Sequence, residues 1–248
     1  MPDSRHKSVP RCWFFDLDGT LADTEADIRA SWRETIADFG LDPERFDRLF
    51  VVGPSIDEII RLIYPERYAP ELVEDIRRGF AAHYDAGGFP RTREYPGVLD
   101  GIRRLKVAGC KAYVVTNKRY AATRIMAAHF GWDRVFDGLY AGDMHKDDPI
   151  GKLRKPQLLA QILRELSEDV SDCVMVGDTV NDFEAARANG VRSVGVTWGY
   201  GTPDELRQAD VTVDLKDIGS FDPYKASFLC CSAISRTFAV DIPTSKSV

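Results

Sequence analysis

Four carboxylates stand where short apolar runs end. Asp16 and Asp18 follow Trp13-Phe14-Phe15, and Asp178 and Asp182 follow the run 173–177. Apolar runs of this length, bounded by a glycine turn, read as buried parallel strands. In an open parallel sheet, ligands bind beyond the carboxyl ends of the strands, near the point where strand order reverses. If these two strands are neighbours, the four acids converge. Clustered carboxylates repel and raise one another's pKa values, and a divalent cation relieves that conflict. An oxygen-only donor set, without Cys or His, suits Mg²⁺ better than zinc.

A second group has the opposite character. Thr116 and Asn117 end the apolar run 112–116 and offer a hydroxyl, an amide and backbone N–H groups to phosphate oxygens. Lys155 opens a helical pattern over 157–166, where the helix N-terminus and a full positive charge both favour an anion. Nucleophile, metal, anion clamp and acid/base are the parts that phosphoryl transfer needs.

The elements that must position these residues alternate. Strand patterns at 112–116, 136–140, 173–177 and 193–197 alternate with helical patterns at 98–107, 120–130, 157–166 and 182–189. This order predicts right-handed βαβ units and an α/β, doubly wound, Rossmann-like parallel sheet. Between residues 24 and 94 the pattern is different. Helical spacing recurs over 26–39, 55–63 and 70–84, and Leu72, Ile76, Phe80 and Tyr84 share one face. Ser55 and Glu58 have the spacing of a capping box. No strand pattern stands out there. The expected division is therefore a core of residues 12–23 plus 95–221, an all-helical insert over 24–94 after the first strand, and tails at 1–11 and 222–248.

Bulk properties narrow the setting. The chain has 248 residues, 44% hydrophobic and 29% charged, as ordinary globular proteins do. A net charge of −6 argues against a nucleic-acid partner. The five cysteines include no C-x-x-C pair, which fits free thiols in a reducing cytoplasm. The first residues lack the apolar stretch of a signal peptide, and no run approaches the roughly 18 apolar residues of a membrane span. A cytoplasmic monomer or homodimer with no membrane partner is expected.

Four ordered segments carry a resemblance: Asp16-Leu17-Asp18-Gly19-Thr20-Leu21, Val114-Val115-Thr116-Asn117, Lys155-Pro156, and Gly177-Asp178-Thr179-Val180-Asn181-Asp182. Together they resemble the motifs of the haloacid dehalogenase superfamily, over roughly residues 12–215. Tyr95-Pro96-Gly97-Val98 and the stretch Gly195-Val196-Thr197-Trp198-Gly199-Tyr200-Gly201 are similar to its phosphoglycolate phosphatase branch, and the insert resembles that branch's small helical cap.

The resemblance implies a phosphatase acting on a small phosphorylated metabolite with Mg²⁺. Asp16 would attack phosphorus and become a phospho-aspartate. Asp18 would protonate the leaving oxygen and then activate water. Thr116, Asn117 and Lys155 would hold the phosphoryl oxygens. Asp16, the backbone carbonyl of Asp18, and Asp178 would hold the metal, with Asp182 supporting its shell or orienting Lys155. Lys152, in the preceding loop, is the alternative to Lys155; Pro156 favours Lys155 because proline fits the first turn of a helix. Other outcomes within the superfamily are a phosphomutase or a pyrophosphatase, and outside catalysis a silent scaffold. Dehalogenation is disfavoured because Asp18 is present, and phosphonate hydrolysis also because no lysine lies between Thr24 and Glu94.

Overall fold

The computed structural model describes residues 10–144 and 153–214. Among them, six strands form one parallel sheet in the order β5-β4-β1-β6-β7-β8. These are β1 (Cys12–Phe15), β4 (Lys111–Thr116), β5 (Gly138–Ala141), β6 (Cys173–Gly177), β7 (Arg192–Val196) and β8 (Val211–Val213). The remaining pair, β2 (Ala22–Asp23) and β3 (Arg93–Glu94), is antiparallel and stands apart from the sheet.

Both sheet faces are covered, so the strands are apolar almost throughout. Trp13, Phe15, Val114, Val174, Val176, Val194 and Val196 join one buried cluster, together with Val98, Ile102 and Leu105 of α5 (Val98–Val107). Cys12, Phe14, Tyr113, Val115 and Met175 point the other way, onto Leu159 and Ile162 of α7 (Lys155–Leu166) and Ala185 and Ala186 of α8 (Val180–Ala188). A period of two along each strand, with apolar cover on each side, explains why the sequence shows runs rather than alternation.

Four α-helices lie between β2 and β3: α1 (Glu25–Asp38), α2 (Pro43–Leu49), α3 (Ile56–Ile63) and α4 (Pro70–Ala86). Trp32 of α1 gathers Phe46, Phe50 and Phe80 around its ring, with centroids 5.8, 6.1 and 5.1 Å away. Ser55 caps α3 through the capping box with Glu58. Arg61 and Arg77 pair with Asp57 and Glu74 on their own helices, as solvated faces do. The two-residue strand β3 lies inside the span 24–94 that reads as wholly helical. It pairs Arg93 with Asp23 and Glu94 with Ala22, and so draws the two connections to the helices together. Two residues are too few to show a period. Two further α-helices among the described residues are α6 (Tyr120–Phe130) and α9 (Pro203–Leu206).

Candidate active site

The order of the sheet brings the acids together. β1 lies between β4 and β6, with Phe15 opposite both Val114 and Val176. One residue further, the Asp16 N–H donates to Val176 O at 2.9 Å. Asp16 and Asp178 thus leave adjacent strand tips at the same level. Asp182 follows in the first turn of α8. One carboxylate oxygen from each of Asp16, Asp178 and Asp182 lies within 4.8 Å of the others.

Close backbone approach makes this geometry possible. Gly19 has φ +80, in the left-handed region that favours glycine, and a Cβ there would stand 2.1 Å from Asp178 Oδ2. A Cβ on Gly177 would stand 2.1 Å from Asp182 Cγ. Side chains at either place would displace the acids.

Lys155 is the cation of the site. As the first residue of α7 it buries its side chain and puts Nζ 2.8 Å from Asp16 Oδ1 and 2.6 Å from Asp182 Oδ1. Asp182 spends its other oxygen on α8, accepting from Thr179 N at 3.1 Å and Thr179 Oγ1 at 3.2 Å. It therefore aims the lysine and caps a helix at once. Lys152 lies outside the described residues.

Burial dominates the electrostatics. It pushes Asp16 up to about 6 against the pull of Lys155. It pushes Asp178 up to about 8, with the charges of Asp16 and Asp182 adding to it and the Tyr200 N–H working against it. Burial also opposes the Lys155 ammonium, but Asp16 and Asp182 together outweigh it and hold the lysine above its usual value. Asp16 Oδ1 is buried and, despite its ion pair, takes no well-formed hydrogen bond. Three buried oxygens with surplus negative charge and one oxygen atom short of a partner fit a hard divalent cation.

The sign of the pH effect follows. Asp178 keeps its proton to about 8 in the folded chain, whereas an ordinary aspartate loses it near 3.8. Between these values the folded state binds the extra proton, so this group's contribution to stability falls as pH rises. Without metal, Asp178→Asn is expected to gain in melting temperature relative to the unaltered chain from about pH 5 to pH 8. Mg²⁺ at the upper pH should reverse the difference. A difference that stays flat with pH would remove the buried-charge account.

The remaining residues lie around this cluster. Thr116 is buried at the tip of β4, where its Oγ1 accepts from Lys118 N at 3.1 Å. Asn117 follows it in the same loop. Asp18 is held at the seam with the helices: Thr24 Oγ1 donates to its Oδ1 at 2.7 Å, and Lys118 Nζ lies 2.7 and 3.0 Å from its two oxygens. The Lys118 ammonium also stands 4.6 Å from the ring centre of Tyr84 on α4. Burial opposes its charge, but the Asp18 carboxylate and, after it, the Tyr84 phenol outweigh burial and hold its pKa above the usual value. Lys118 does not figure among the sequence-predicted residues. Its place two positions after Thr116, in the loop leading to α6, is the signal that points to it.

A family model for haloacid dehalogenase-like hydrolases matches residues 10–190. The chain belongs to that family. It is 34% identical over 207 residues to a phosphoglycolate phosphatase of Agrobacterium fabrum, an alignment covering 81% of this chain and 86% of the relative. It is 30% identical over 209 residues to a 5'-nucleotidase of Pseudomonas aeruginosa, covering 83% and 91%. In fold it is similar to the crystal structure of a predicted phosphatase from Clostridium acetobutylicum, with TM-score 0.73, 23% identity, and 86% and 98% of the two chains covered. Among the described residues, no helix is long and apolar enough to cross a membrane.

Proposed function

We propose that this chain is a Mg²⁺-dependent phosphatase that hydrolyses a small phosphate monoester of the 2-phosphoglycolate kind through a phospho-aspartate on Asp16. The observation that carries the reading is the meeting of Asp16, Asp178 and Asp182 within 4.8 Å, with Lys155 Nζ between Asp16 and Asp182. Asp16, the backbone carbonyl of Asp18, and Asp178 would hold the metal, with Asp182 in support. Bound there, Mg²⁺ supplies positive charge against the phosphoryl group.

The chain's own residues do the rest. An Asp16 carboxylate oxygen forms the bond to phosphorus as the ester oxygen leaves with its electron pair. Asp18 gives that oxygen a proton. Asp18 then takes a proton from water, whose oxygen attacks phosphorus and releases inorganic phosphate, restoring Asp16. Thr116, Asn117 and Lys155 hold the equatorial oxygens as their charge grows. To reach the ester, Asp18 gives up its contacts with Thr24 and Lys118.

The helices between residues 24 and 94 act as a cap over the core of residues 12–23 and 95–221. Closing it excludes water, and opening it releases product. The free, buried thiols of Cys12, Cys110 and Cys173 support a cytoplasmic setting.

The test is phosphate release from 2-phosphoglycolate, nucleoside 5'-monophosphates and p-nitrophenyl phosphate, with and without Mg²⁺. The highest kcat/KM is expected for 2-phosphoglycolate, with no release after chelation. A preference for the nucleotides would overturn the substrate, and silence on every ester would favour a scaffold.

A further inference from the structure

The first turn of α1 has an acceptor from far away in the chain. Backbone N–H groups at a helix start lack partners within the helix. Thr24 occupies the capping position of α1, yet its side chain makes no cap bond there. Its hydroxyl donates to Asp18 instead. The place of the cap is taken by Tyr200, 176 residues on, whose Oη accepts from Thr24 N at 2.7 Å and Glu25 N at 3.0 Å. The phenol hydrogen is shared between Asp23 Oδ1 at 3.0 Å and Thr24 Oγ1 at 3.3 Å, because the Thr24 hydroxyl spends its own hydrogen on Asp18. Two acceptor positions and one donor are all that a phenol has, and all three are used.

The same residue reaches the metal side. Tyr200 N donates to Asp178 Oδ2 at 2.7 Å. The loop is pinned further by Trp198, whose Nε1 donates to Thr20 O at 3.1 Å. A continuous line of hydrogen bonds therefore runs from Asp178 through Tyr200 and Thr24 to Asp18.

We propose that Tyr200 is a positioning residue that sets the acid/base carboxylate Asp18 relative to Asp178, through Thr24 and the first turn of α1. This rests on the phosphatase reading for the roles of the two acids. Tyr200 touches no reacting atom. It fixes Thr24, and the Thr24 hydroxyl fixes where Asp18 waits and returns. The Asp178 end uses only the backbone N–H, so it survives loss of the phenol oxygen.

Tyr200→Phe separates the two ends. An alkyl leaving group needs a proton from Asp18, whereas p-nitrophenolate departs as a stable anion. In Tyr200→Phe, kcat/KM for 2-phosphoglycolate is expected to fall about 10-fold or more, with a much smaller loss on p-nitrophenyl phosphate. The Mg²⁺ concentration for half-activation should not move. Thr24→Val should give the same split, and the double variant should be no worse than the more damaged single one.

Equal losses on both esters, or losses that add in the double variant, would overturn the proposal. Amide hydrogen exchange at Thr24 and Glu25 supplies a readout without turnover. Faster exchange in Tyr200→Phe supports the link, and unchanged exchange overturns it. If the unaltered chain hydrolysed neither ester, the phosphatase reading would fail, while the exchange rates would still decide whether the phenol holds α1.

Discussion

Asp16→Asn is expected to lower turnover of every phosphate ester by about 10⁴-fold or more, with the fold intact. The amide matches the carboxylate in size, so the packing at the tip of β1 is kept. What it lacks is the charge and nucleophilicity that the proposed mechanism asks of Asp16. No other described carboxylate of the cluster can take over. Asp182 is committed to Lys155 and to the cap of α8, and Asp178 is held by Tyr200 N and by Thr20 Oγ1 at 3.3 Å. Initial rates with 2-phosphoglycolate, beside circular dichroism and thermal unfolding, make the measurement. Residual turnover within tenfold of the unaltered chain would mean that water attacks phosphorus directly.

Lys155→Ala should damage both stability and activity. Lys155 Nζ is buried between two carboxylates, and its removal leaves buried negative charge without its partner. Breaking a buried pair from one side costs about 3–5 kcal/mol. A urea titration at neutral pH without metal reads that loss directly. Part of it should return with Mg²⁺, which supplies the missing positive charge. Turnover should fall about 10²–10³-fold, as when one stabilising contact to a growing oxyanion is deleted. A variant as stable as the unaltered chain would show that Lys155 is not the counter-ion of the cluster.

Much of this was legible because the relevant signals are local. The longer strands of the sheet show as short apolar runs, with Asp16 and Asp178 one step beyond the ends of two of them and Thr116 closing a third. Lys155 was legible through Pro156. The helix α2 has no such pattern, although Asp42 and Pro43 mark its start and Asp42 accepts from Glu44 N and Arg45 N. Seven residues give too little periodicity. The strand β8 has three residues and shows no run at all. Lys118 and Tyr200 belong to a different class. Lys118 meets Asp18 across 100 positions, and Tyr200 meets Thr24 across 176. Only the folded chain creates those contacts: the place of Lys118 after Thr116 marks the residue, but no spacing announces its meeting with Asp18 or that of Tyr200 with Thr24.

The central place of β1 bears on how the chain comes into being. Its partners β4 and β6 leave the ribosome about 100 and 160 residues after it, and such distant pairings form slowly. The helices from α1 to α4 meet near neighbours and can settle much sooner. Meanwhile Trp13, Phe14 and Phe15 wait uncovered, a sticky edge that invites aggregation or chaperone binding. Asp16, at the tip of β1, is thus synthesised well before the strands that give it its surroundings.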